Sequence, residues 1–208
     1  MFVSAVVLNA ATLAIAAPRA GKSSAVAKQK DVTGDSKPKA FFILYTDQAS
    51  MYNHFAPSGW MGDTNDLKMN QGSSDNPKTG KTCLELTYNA KASQGAGWSG
   101  IFWQHPPNNW GVKKGYVLTG AKKLTFWARG LIGGEKVAEF KVGGITGEVP
   151  DSDAASLGPV ELTKDWKQYT IDLEGKDLSN ICGGFAIAIA KDDNANGAKI
   201  FIDEIVFE

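Results

Sequence analysis

The sequence is short of the residues on which metal and nucleophilic chemistry are usually built. Its 208 residues contain two cysteines and two histidines, and no spacing among the four suggests zinc. It has no Gly-x-Ser-x-Gly, no His-Glu-x-x-His and no phosphate-binding loop. No stretch after residue 17 is apolar for long enough to span a membrane, so the mature domain has no span. Net charge is also lacking: 22 Lys/Arg balance 22 Asp/Glu. Residues 1–39 hold six Lys/Arg and two Asp, which leaves residues 40–208 at net −4. A mildly acidic body lacks the basic face that phosphate binding needs, which excludes nucleic acid as the main partner. Helical periodicity longer than a turn or two is absent throughout.

What is present divides the chain in three. Residues 1–20 read as an export segment: residues 1–17 are apolar, with a small-residue cleavage site of the form Ala14-Ile15-Ala16 or one after Ala20. The expected location is secreted, cell-surface or periplasmic. Residues 21–39, rich in Ala, Ser, Gly and Lys, read as a flexible linker. Residues 40–208 form the folded domain. Strands are expected over 40–46, 82–90, 98–104, 123–129, 137–142, 160–162, 166–173, 183–190 and 199–207. Residues 47–81 read as a long polar passage without helix, and 143–158 as an acidic loop carrying Glu148, Asp151 and Asp153. This spacing of short strands predicts an all-β, antiparallel two-sheet β-sandwich. Cys83 and Cys182 fall in two of the strands; a disulfide between them and two buried free thiols are both open.

The richest stretch is 95–110, with Trp98, Trp103 and Trp110, Phe102, His105 and the pair Pro106-Pro107. Trp103 has the opposite strand parity from Trp98 and Phe102, so one set packs the core and the other points outward. An outward indole beside a proline-stiffened loop with Asn108, Asn109 and Trp110 suits a flat, polar ligand. The expected stackers are Trp103, Trp110 and Trp127, with Trp60 and Tyr52 from the long passage. Arg129, Gln104, His105 and Asn109 are the expected polar partners. Trp166, opening a strand after a turn, reads as a structural plug. A row of alanines, Ala186, Ala188 and Ala190, predicts a flat patch where an extended ligand could lie. In the last strand Asp203 shares parity with Phe201, Ile205 and Phe207. If that side is inward, the carboxylate needs a partner: Lys, Arg, or a calcium shared with Asp47 and a carbonyl near Lys81 or Thr82.

From Ala40 onward the pattern resembles the carbohydrate-binding modules of the galactose-binding-like jelly-roll type. The resemblance is carried by Thr-Cys-Leu-Glu-Leu-Thr-Tyr at 82–88, Gly-Trp-Ser-Gly at 97–100 and Leu-Thr-Phe-Trp-Ala-Arg-Gly at 124–130. Leu-Thr-Lys-Asp-Trp-Lys-Gln-Tyr-Thr-Ile-Asp-Leu at 162–173 and Ile-Phe-Ile-Asp-Glu-Ile at 200–205 complete it. It implies a jelly roll, a structural calcium on Asp203 with Asp47, and non-catalytic binding of a polysaccharide or oligosaccharide beside a fused or associated glycoside hydrolase. The alternatives are an adhesion domain contacting protein, and a polysaccharide lyase or hydrolase, for which the residue types occur without a recognisable spacing.

Overall fold

The computed structural model describes residues 42–208, so the export segment, the linker and the first two residues of the first expected strand lie outside the described residues. Thirteen strands follow in order: β1 (Phe42–Tyr45), β2 (Ala56–Gly62), β3 (Leu67–Ser73), β4 (Cys83–Tyr88), β5 (Trp98–Gln104), β6 (Lys123–Gly130), β7 (Lys136–Val137), β8 (Glu139–Gly143), β9 (Ala154–Leu157), β10 (Val160–Glu161), β11 (Lys167–Asp172), β12 (Gly183–Ala190) and β13 (Ala198–Phe207). A single 3-10 turn, Thr64–Asp66, is the helical content of the described residues. All strand pairs are antiparallel.

The first sheet runs β11-β6-β13-β4-β3, with β1 also on β13. The second runs β2-β5-β12-β8-β9, and β7 and β10 form a small ribbon. The sandwich expected from strand spacing is the observed fold. Its core is built by parity. On β6, Leu124, Phe126 and Ala128 are fully buried, and on β12 Phe185, Ile187 and Ile189 face them from the other sheet. Phe126 lies 4.6 Å from Phe140 and 5.1 Å from Phe185, ring to ring. Trp103 joins this layer 5.5 Å from Phe185. Such interlocked aromatics each contribute several kcal/mol, because truncation leaves a cavity that rigid neighbours cannot fill.

The long polar passage holds two strands, β2 and β3, and the acidic loop holds β9. The end of the passage, from residue 74, together with Thr82 lies as a strap across the outer face of the first sheet. The Arg129 guanidinium donates to the Asp75 carbonyl at 2.8 Å and lies 3.4 Å from its carboxylate. The Trp166 indole N–H donates to the Asn76 carbonyl at 2.8 Å, consistent with its reading as a plug. The N–H groups of Lys78 and Thr79 donate to Asp203 Oδ2 at 2.9 and 3.3 Å. Those of Lys81 and Thr82 donate to Asp47 Oδ1 at 2.9 and 2.8 Å. Both cysteines are buried free thiols, which decides between the two alternatives left open. Among the described residues no helix is long and apolar enough to cross a membrane.

Candidate functional site

The strap covers part of the first sheet's outer face, where a cleft of about 470 Å³ beside Trp127 and Lys78 stays open, and the outer face of the second sheet is open as well. Register sets two rows across it. Met61, Gly100, Ala188 and Glu139 face one another in one row; Phe102, Ala186, Lys141 and Ser156 do so in the next. The alanines lower the floor where the neighbouring strands carry long side chains, so the face is a trough. Two continuous clefts follow it. One of about 130 Å³ is walled by Met61, Trp98, Phe102 and Ala188. The other, of about 440 Å³, reaches Ser156 and Lys176, and the two share Glu139 and Lys141.

Two indoles stand over this face. Trp98, 37% exposed, opens β5. Trp110, 42% exposed, meets Phe102 edge-on with ring centroids 6.2 Å apart. Each is positioned from below. The N–H groups of Gln94, Ala96 and Gly97 converge on the buried Asp63 carboxylate at 2.6–3.1 Å, which fixes the loop leading into Trp98. These bonds favour the charged form, and the Asp63 carboxyl lies below the usual carboxylate range although burial opposes this. A side chain at Gly100 would meet the Ile187 carbonyl at 2.8 Å and Trp98 Cζ3 at 3.3 Å, so its absence leaves the indole room to lie over the strand. The Trp110 rim is held by Asn109, whose amide donates to the carbonyls of His105 and Lys113 and accepts from Val112 and Lys113.

Most of the residues expected at the site are elsewhere. Trp103, 1% exposed, is core: it pairs with Phe185 on the inner face, so the parity choice falls to Trp98 and Phe102. Gln104 is buried, accepting from Ser58 Oγ at 2.8 Å and donating to the Asn109 carbonyl at 3.1 Å. It and Asn109 use their polar groups to build the rim and have none to offer a ligand. Trp127 is half-buried on the first sheet's outer face with the Lys78 ammonium 3.8 Å over its ring. Arg129 is buried under the strap, 3.7 Å from the Phe201 ring. Trp60 alternates with Met61 and so points away from the groove, and Tyr52 stands 61% exposed on a loop beside Asp47 and Lys81. His105 stacks on Tyr116 at 3.7 Å, and His54 meets the same ring at 5.9 Å. Burial, and then His54, lower the His105 pKa. These rings pack on one another and make no hydrogen-bonded acid–base pair. Of the nine expected ligand contacts, Trp110 alone borders the groove. Trp98, Phe102, Met61, Glu139 and Lys141 were not expected there. The signal for them was the alanine row, because the strand paired to it must show its outer residues on the same face.

Asp203 does not face the core: it lies on the first sheet's outer face opposite Trp127, with Ile200 and Ile202 on the core side and Ile205 and Phe207 joining them after a bulge, and the strap buries it fully. Burial lifts its pKa to about 6 against the pull of the strap amides. The donors around it do not fit a calcium cage: the strap turns N–H groups, not carbonyls, toward both Asp203 and Asp47. The Thr82 hydroxyl adds a third donor to Asp47 Oδ1 at 3.0 Å. A larger cleft of about 790 Å³ lies near Phe42 and Phe207, but aliphatic side chains and ion-paired lysines wall it, without an exposed indole.

The geometry is that of a galactose-binding-like β-sandwich, the fold of carbohydrate-binding modules. A family 30 carbohydrate-binding module superposes with a TM-score of 0.56 at 13% identity, covering 82% of this chain and 88% of that one. The family 30 module of the cellulosomal cellulase Cel9D-Cel44B of Clostridium thermocellum gives 0.54 at 14%, covering 81% and 97%. The family 11 module of the cellulosomal cellulase Lic26A-Cel5E of the same organism gives 0.52 at 14%, covering 81% and 94%. At such identities the likeness establishes the fold. No protein-family profile matches the sequence, and no curated protein does.

Proposed function

We propose that the protein is an exported, non-catalytic module that binds a polysaccharide or oligosaccharide in the trough across the second sheet. The observation that carries this is a pair of exposed indoles, Trp98 lining the alanine-floored cleft and Trp110 set edge-on against Phe102 at its side, with polar groups beyond the floor. Sugar rings present C–H faces that stack on indoles, and hydroxyls that pair with groups such as Glu139, Lys141 and Ser156. Crossing five strands spans roughly 19 Å, room for about four sugar rings end to end. The three solved structures described above that share this fold are carbohydrate-binding modules, which supports the reading. Glu139 is the one carboxylate lining the two clefts, and glycoside hydrolysis by an acid pair needs a second. The apolar residues 1–17 support export. A module of this kind acts by holding a partner to the polymer, and a fused or associated glycoside hydrolase is the partner we infer.

Affinity electrophoresis of the full chain through gels containing plant and algal polysaccharides tests this. Retardation on at least one polymer is expected, weakened tenfold or more by Trp98→Ala or Trp110→Ala, as for a buried aromatic anchor. Trp127→Ala on the other sheet should leave it intact. Retardation that survives both groove variants would sink the assignment of the face.

A further inference from the structure

The trough is chemically lopsided. Its aromatic side ends at Trp98 and Phe102, and across the alanines it reaches two ammonium groups, Lys141 and Lys176, in a body that is net negative. Both are positioned. Lys176 is held 3.1 Å from Asp153, itself fixed by the N–H groups of Ala154 and Asp177. Lys141 lies folded along Gly144, where a Cβ would meet its Cε at 2.7 Å and its Nζ at 2.9 Å. Gly144 also has φ +90, so any other residue there is strained as well as in the way. Register puts Lys141 between Ala186 and Ser156. Among the described residues no acidic side chain lies within 4 Å of Lys141. Glu139 shares the strand face, one step back toward Ala188, and on the Ser156 side Asp153 engages Lys176, which leaves the Lys141 ammonium as the cation there without an acidic partner.

We propose that this end of the groove takes an anionic group on the glycan, the carboxylate of a uronic acid or a sulfate ester, seated between Lys141 and Lys176 with the Ser156 hydroxyl as a further donor. This rests on the glycan reading above. A half-covered ammonium with no partner of its own loses little on meeting an anion and gains a charge-assisted hydrogen bond. Seated there, the anion leaves the uncharged rings of the chain to cross the alanine floor to Trp98.

The test uses the full chain with three probes in affinity gels: polygalacturonate, a sulfated galactan and a neutral mixed-linkage β-glucan. One or both anionic polymers should be retained more strongly than the neutral one, and which of them is retained identifies the anion. Retention should fall steeply as salt is raised through the range where the screening length shrinks below about 10 Å. Lys141→Gln should weaken anionic retention roughly tenfold and Lys176→Gln by less, while retention of the neutral polymer, which loses at most one hydroxyl contact, falls far less in each variant. Equal retention of the neutral polymer, indifferent to salt and to both lysine variants, overturns the anion site while Trp98→Ala still reports on the glycan reading. Retention of no polymer overturns both.

Discussion

Asp203 gives the sharpest test of how the strap is held. Its carboxyl is fully buried and its pKa stands near 6 against an ordinary 3.8. Between about pH 4 and 6 the folded protein therefore keeps a proton that the unfolded chain has released. A raised folded pKa contributes stability that is fully present below the unfolded value and lost as pH rises through the folded one. The two-unit separation corresponds to about 3 kcal/mol lost between pH 4 and 7. Asp203→Asn, permanently neutral, has no such loss. Urea unfolding of both proteins at pH 4, 5, 6 and 7 isolates the group, because the other titrating residues cancel in the difference. The variant should gain on the wild type by about 3 kcal/mol across that range. A bound calcium would do the reverse: it would hold the carboxylate ionised, and wild type would gain with rising pH. The series run with added calcium and with chelator therefore tests the calcium expectation too. From the amide-lined carboxylates we expect the two series to coincide. A chelator-dependent slope of opposite sign would refute the account of the strap.

Three further outcomes follow from the packing. Trp103→Ala should cost about 3–5 kcal/mol of stability, read by urea unfolding, because it empties the aromatic layer against Phe185. His105, with its pKa lowered by burial against Tyr116, favours the neutral ring; its contribution is present above about 6.5 and is lost as pH falls. His105→Gln should flatten that part of the stability profile, and an unchanged acid limb would contradict it. Asp63→Asn replaces an acceptor of three loop N–H groups by a side chain that is partly a donor, so glycan affinity should fall and Trp98 fluorescence should change.

The sandwich was legible where strands alternate strictly, as in Leu-Thr-Phe-Trp-Ala-Arg at 124–129 and Phe-Ala-Ile-Ala-Ile-Ala at 185–190. It was illegible in β2 and β3, whose Ala-Pro-Ser-Gly-Trp-Met-Gly and Leu-Lys-Met-Asn-Gln-Gly-Ser hold few strand formers. Both are edge strands, where pairing with one committed neighbour overrides weak propensity. On β5 the sequence shows that Trp98 and Trp103 face opposite ways but not which is inward, since both faces are aromatic. The partner strand decides: Phe185 opposes Trp103, and Ala186 opposes Phe102. Gln104, Asn109 and Arg129 share one cause of misplacement. A polar side chain suited to a sugar hydroxyl is equally suited to a backbone carbonyl, and sequence alone cannot show which it meets.

The pairing of Phe42 with Phe207 places the start of β1 and the end of β13 on adjacent, antiparallel backbones. Their Cα atoms are therefore separated by about 5 Å. A short bridge could join them and new ends could be opened at an exposed loop, giving a circular permutant with the same sheets. Cargo fused before Phe42 or after Phe207 would hang from nearly the same point. Swapping it from one end to the other should change its reach toward a bound polymer very little, a freedom open to anyone building on this scaffold.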